Sequence, residues 1–215
     1  MGKAARKINQ REDRKVRGNE WLSKLDTQER VVSFVAVTAF EKLVLPYEMT
    51  GGCYYFAFFL RQFLKDEFGI QVDMVMGWVL TDTSLPIPHA WIEYNGKKTD
   101  ISMGAAKKPN GDFAAPVIIH DFFFRAGGFD LSYVKQISHA DRITQIDASN
   151  DPDFGPSYRE HEEIHRQILA WHASPTGTTD YFATAEDPDL KYENIALFLK
   201  NALFSQKVRS SQLGL

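Results

Sequence analysis

A single cysteine, Cys53, follows Gly51-Gly52 and opens an aromatic run, Tyr54-Tyr-Phe-Ala-Phe-Phe59. A thiol becomes a useful nucleophile when its ionised form is favoured and a base stands beside it. Two glycines before a buried helix put Cys53 at a helix N-terminus. There, unpaired backbone N–H groups and the helix dipole favour the thiolate. The same N–H groups can hold the oxyanion formed when a carbonyl is attacked. The expected base is His89, and the expected carboxylate that orients it is Asp100. The segment from His89 to Tyr94 and the segment from Lys97 to Ser102 flank Asn95-Gly96, the strongest short hairpin signal. In a two-residue turn Tyr94 pairs with Lys97, Trp91 faces Asp100, and His89 faces Ser102. His89 and Asp100 then lie on one face as diagonal neighbours, whereas a slip of one residue would part them. A carboxylate at that distance can hold one imidazole nitrogen and aim the other at the thiol.

The elements that must position these groups follow from periodicity. A first helix is predicted from Thr27 to Leu43, capped by Asp26 or Thr27, with Val31, Phe34, Val35, Thr38 and Leu43 as its stripe, and ended by Pro46. After a loop through Thr50, a second helix runs from Cys53 to Phe68, apolar nearly all round and therefore buried, with Gly69 as its stop. Ile70–Leu80 reads as a strand, Thr81–Pro88 as a loop, and the hairpin follows. Residues 103–115 read as loop, 116–124 as one strand, and 130–146 carry little pattern. Residues 157–173 and 189–206 read as helices around a loop at 174–179. The stripe of the last helix is Tyr192, Ile195, Leu199 and Leu203. Helices, then antiparallel strands, then helices define an α+β architecture.

These residues resemble the transglutaminase-like superfamily of papain-like cysteine enzymes. Gly52-Cys53-Tyr-Tyr-Phe-Ala57 is similar to the family's cysteine block at a helix start. Phe68-Gly69-Ile70 with Val75-Met-Gly77 resembles the stretch joining helix to strand. His89-Ala90-Trp91-Ile92-Glu93 resembles the histidine block, with Asp100 at the family's aspartate position. The likeness spans residues 47–103. It implies a core in which a buried helix carrying the cysteine packs on an antiparallel sheet carrying His and Asp. It also implies a Cys53–His89–Asp100 triad and amide chemistry through a thioester. Proteolysis, deamidation, transamidation and deglycosylation all occur on such folds, and some members only bind. Papain-like enzymes often place a side-chain donor, commonly Gln, before the nucleophile. Tyr47 is the candidate here, with Gly52 and Trp91 as further oxyanion or pocket candidates; packing roles for Tyr47 and Trp91 are equally open.

Two other patterns compete. His161-Glu-Glu-Ile-His165 has the form of the zincin motif, two histidines one helical turn apart with Glu162 as base. Glu186 or Glu193 would be a third ligand, and His172 lies on roughly the same face. Against this, the helix is densely charged and Glu163 stands where an uncharged residue is usual. A solvated face is expected, with Ile164, Ile168 and Trp171 turned inward. His120-Asp121, between two apolar runs, reads as a strand-end or core pair.

Composition sets the outer bounds. The chain has 215 residues, 44% hydrophobic and 25% charged, with net charge −3. That suits one globular domain and gives no pull toward nucleic acid or acidic lipid. We expect a basic arm at 1–20, one domain at 21–206 with its core at 47–124 and helices at 157–206, and a tail at 207–215. A lone cysteine excludes an internal disulfide. Neither a secretory signal nor a membrane span is expected. The expected setting is reducing and cytoplasmic, the partner a protein or peptide substrate or another amide, and no cofactor is required.

Overall fold

The computed structural model describes residues 17–49, 51–80, 85–105, 115–125 and 131–212. The basic arm up to residue 16, Thr50, and most of the loop segments expected at 81–88, at 103–115 and around Gly127-Gly128 lie outside them. The fold is mixed α and β, as the order of elements implied.

Residues 17–23 are helical, and α1 (Thr27–Ala39) follows. Asp26 caps it. Its carboxylate accepts from the Glu29 N–H at 2.8 Å, and the Glu29 carboxylate accepts from the Asp26 N–H at 3.0 Å. This reciprocal box satisfies two orphan donors. The helix widens into a π-helical turn at Phe40–Val44 before Pro46. Its buried stripe is Val32, Val35, Ala36, Thr38, Ala39, Phe40 and Leu43, so Val35, Thr38 and Leu43 lie inward as expected. Phe34, placed inward by the sequence, is 44% exposed. Spacing of the smaller residues sets the buried face here, and ring size does not.

The aromatic helix α2 (Cys53–Phe68) is buried along most of its length. Gly69 ends it in the left-handed conformation (φ 66°), and the Gly69 and Ile70 N–H groups donate to the Lys65 and Leu64 carbonyls. That closes the helix end as a glycine C-cap should.

The main sheet is antiparallel, in the order β3 (Lys97–Thr99), β2 (Pro86–Tyr94), β1 (Asp73–Leu80) and β6 (Ser132–Val134). The β2–β3 turn has the expected register, with Tyr94 opposite Lys97 and Ile92 opposite Thr99. Asn95 and Gly96 both have positive φ, as this tight turn requires. Two boundaries differ from expectation. β2 begins at Pro86, inside the expected loop. β3 pairs only with Ile92–Tyr94, so Pro86 and Pro88 have no neighbour on that side to need their missing N–H. β3 ends at Thr99, because Asp100 exchanges two backbone hydrogen bonds with Ile118 and leads into a 3-10 turn at Ser102–Ala105.

The single strand expected over 116–124 is instead a hairpin. β4 (Val117–Ile119) and β5 (Phe122–Arg125) pair around His120-Asp121, both at positive φ. A left-handed two-residue turn without glycine carries little sequence signal.

Helices α3 (His139–Asn150), α4 (Gly155–Ala173), α5 (Gly177–Ala183) and α6 (Tyr192–Gln212) complete the chain. α3 buries none of its residues, which explains its weak pattern. α5 begins inside the loop expected at 174–179. α6 runs on through most of the expected tail. One cluster joins α1, α2, the sheet, β4, α4, α5 and α6 through residues such as Phe59, Ile92, Ile119, Ile168, Phe182 and Leu199. The C-terminal helices therefore share the core that carries the cysteine. Among the described residues no helix is long and apolar enough to cross a membrane.

Candidate active site

Cys53 is the first residue of α2, unoxidised and 8% exposed. Gly52 precedes it as N-cap with no side-chain cap, so the first-turn N–H groups are free of capping partners. Gly51 turns the chain at φ 74°. A Cβ at Gly52 would stand 3.2 Å from the Phe56 ring, so glycine lets the loop close against the helix.

His89 and Asp100 meet as the hairpin count requires. The imidazole Nε2–H donates to Asp100 Oδ2 at 2.7 Å, and both side chains are buried. Cys53 acts on the same ring, raising the proton affinity of His89. With Nε2 engaged by Asp100, Nδ1 is the ring nitrogen left to serve a thiol. Burial alone would lower the proton affinity of His89. The charges of Asp100 and Cys53 more than offset this and push its pKa up to about 10.

Asp100 has every lone-pair direction used. Oδ2 accepts from His89 and from the Tyr133 hydroxyl at 2.6 Å, and Oδ1 accepts from the Ser102 N–H at 2.9 Å and the Ser102 hydroxyl at 2.7 Å. Burial resists its charge. His89 and these donors outweigh burial and hold its pKa below the usual carboxylate range. The sequence reading omits both donors. Ser102, two residues after an Asp, carries the Asx-turn signal that reveals it. Tyr133 lies on β6, whose place depends on pairing with β1, and nothing local to it reveals the role. Burial and the Asp100 charge keep the Tyr133 phenol protonated as a donor.

Trp91 lies on the His89 side of the sheet, as expected. It is buried, its ring centroid is 6.5 Å from that of His89, and its Nε1–H donates to Glu93. It covers Gly77, which pairs with His89; a Cβ on Gly77 would stand 2.8 Å from the Trp91 ring. Tyr133 packs edge-on against both rings.

Tyr47 is not brought to the thiol. It is 66% exposed and lines a cavity of about 450 Å³ with Leu43, Met49, Leu190 and Phe198. Tyr47 lies in the turn after the π-helical segment, and its side chain is turned outward.

The zincin-like residues separate. His161 is exposed. The Glu162 carboxylate is held by Gln145 and Ser149 of α3. Glu186 and Glu193 face solvent. Among the described residues no three His, Cys, Asp or Glu side chains are arranged to hold a metal ion. The expectation of a solvated face fails at His165, which is 5% exposed, while Ile164, expected inward, is 38% exposed. Helical periodicity places both near one edge of the stripe, and contact with Tyr54 draws the histidine in. His165 Nδ1 lies 2.8 Å from the Tyr54 hydroxyl. His172 instead faces Arg61. His120 donates Nε2–H to the Glu29 carbonyl at 3.0 Å, a bond that ties its turn to α1.

Comparison with protein-family models, with curated proteins and with solved structures gave no match. The chemistry of the site rests on its own geometry.

Proposed function

We propose that this chain is a cysteine-dependent hydrolase or acyl transferase acting on amide or peptide bonds through Cys53, His89 and Asp100. The observation that carries the reading is His89, held at 2.7 Å by Asp100 through one nitrogen, with Cys53 near enough to raise the proton affinity of its ring. The aromatic helix bearing the thiol and the antiparallel strands bearing His and Asp agree with a papain-like, transglutaminase-like core.

In this mechanism Cys53 Sγ attacks the carbonyl carbon. A C–S bond forms and the oxygen takes the electron pair, facing the unpaired N–H groups of the first turn of α2. Collapse breaks the C–N bond. The amine leaves with the proton of the His89 imidazolium, and a thioester remains. Neutral His89 then draws a proton from water or a second amine as it attacks the thioester, and the thiol is released. Asp100 holds the ring and offsets its charge throughout. Peptidase or amidase action is favoured over cross-linking, with a protein or peptide as substrate. A reducing, cytoplasmic setting would keep the lone thiol available.

The test is the rate at which Cys53 reacts with iodoacetamide and with methyl methanethiosulfonate at pH 7, followed by intact mass. A reactive pair should label faster than glutathione with both reagents, and His89→Ala should slow labelling by about tenfold or more. Labelling no faster than a free thiol, and indifferent to His89→Ala, would overturn the assignment.

A further inference from the structure

Two buried polar nitrogens are not used by the reaction above. Among the described residues, neither Trp78 Nε1 nor His165 Nε2 has a hydrogen-bond partner. Their rings are neighbours, with centroids 5.3 Å apart and planes inclined by 51°. Native proteins rarely leave such groups unsatisfied, and two side by side mark a place built for something else. His165 ties the pair to the site, and Trp78 packs on it. His165 is bonded to Tyr54, the residue after Cys53, and the charge of His89 reaches the His165 ring.

The hydrogen-bond pattern fixes what the pair offers. Burial and the nearby His89 charge lower the His165 pKa to about 4, so the ring is neutral and carries one proton. Burial keeps the Tyr54 phenol protonated. Among the described residues, the acceptor within reach of its hydroxyl is His165 Nδ1. Tyr54 therefore donates to Nδ1, and the ring proton sits on Nε2. Indole Nε1–H is a donor only. The two orphaned atoms are thus two neutral N–H donors, and their complement is an acceptor oxygen.

We propose that Trp78 and His165 form a recognition subsite beside Cys53 that takes a carbonyl oxygen of the substrate, on the amide group adjoining the one attacked. The proposal rests on the cysteine-enzyme reading above. Neutral donors suit a neutral carbonyl, and a carboxylate there would oppose the charge on the thiolate. The attacked carbonyl has its own donors at the start of α2, so this pair serves its neighbour. The ligand class is a peptide or another compound with successive amides. Tyr54 acts as a positioning residue that sets the tautomer of His165.

The two labelling reagents separate this subsite from the triad. Iodoacetamide carries a carbonyl oxygen next to the carbon that the thiol attacks, and methyl methanethiosulfonate carries none. Trp78→Phe and His165→Phe should each slow iodoacetamide by about three- to tenfold, the worth of one neutral hydrogen bond. Methyl methanethiosulfonate should react with both variants as with the parent. His165→Gln, which keeps an N–H donor, should retain most of the iodoacetamide rate. Nitrogen NMR of the parent should show the His165 proton on Nε2. An unchanged ratio of the two rates in both Phe variants would overturn the subsite. So would equal slowing with both reagents, because the substitution would then act on the thiol itself, and so would a proton on Nδ1. Failure of the triad looks different: slow labelling of the parent by both reagents.

Discussion

Asp100 is the most heavily coordinated side chain in the site, and its four hydrogen bonds tie two strands and a turn to one carboxylate. Tyr133→Phe removes one of the two bonds on Oδ2 and leaves the ion pair. We expect a cost of about 1–2 kcal/mol in urea unfolding and a labelling rate lowered by about three- to tenfold. Asp100→Asn removes the charge as well and should slow labelling further. If Tyr133→Phe proves as damaging as Asp100→Asn, the hydroxyl does more than orient. The pH dependence of the ion pair has a definite sign. The pKa of His89 rises from 6.5 to about 10 on folding. The stability it contributes is complete below pH 6.5, fades as pH rises, and is lost above about pH 10. The gap in unfolding free energy between the parent and Asp100→Asn should therefore narrow from pH 6.5 to pH 10, measured by urea titration. A gap that stays constant would remove His89 as its source. The meeting of His89 with Asp100 was legible because the chemistry of Asn95-Gly96 is local and sets the register by counting. Tyr133 was illegible because its position depends on pairing with Val79 of β1, 54 residues away in the chain. His165 was read to the wrong side because periodicity does not distinguish a buried histidine from a solvated one.

Among the elements, β1 is the one whose sequence is least free. Gly77 lies opposite His89 and beneath Trp91. Gly77→Ala would drive a methyl into the Trp91 ring and the Val134 carbonyl. We expect about 1–3 kcal/mol of destabilisation and a shift in tryptophan fluorescence as Trp91 moves. An unshifted spectrum with unchanged stability would mean that the sheet yields there. At α1, Asp26→Ala should cost about 1 kcal/mol through loss of the capping box, with labelling of Cys53 unaffected. Helices α1, α2, α4 and α6 were readable because caps, glycine stops and long apolar stripes are local signals. The β4–β5 hairpin was not, since its turn residues, His120 and Asp121, are unusual hosts for positive φ. α3 escaped notice because it buries no residue and so has no apolar stripe to read.

At the scale of the whole molecule, the site gathers side chains from α2, β1, β2, β6 and α4 and from the bridge after β3. The core that holds these elements is continuous from α1 to α6. The reactivity proposed for Cys53 should therefore vanish with urea at the same midpoint as tryptophan fluorescence. Loss of reactivity at a lower midpoint would reveal a site that opens before the core does. The shared core extends into the C-terminal helices through Ile168, Phe182 and Leu199. One last property follows from Cys53 being the only cysteine of the chain. If a peroxide converts it to a sulfenic acid, no second thiol of the same molecule can condense with it to form a protective disulfide. Recovery must come from outside, through glutathione or another small thiol, and without it oxidation proceeds to the irreversible sulfinic and sulfonic acids.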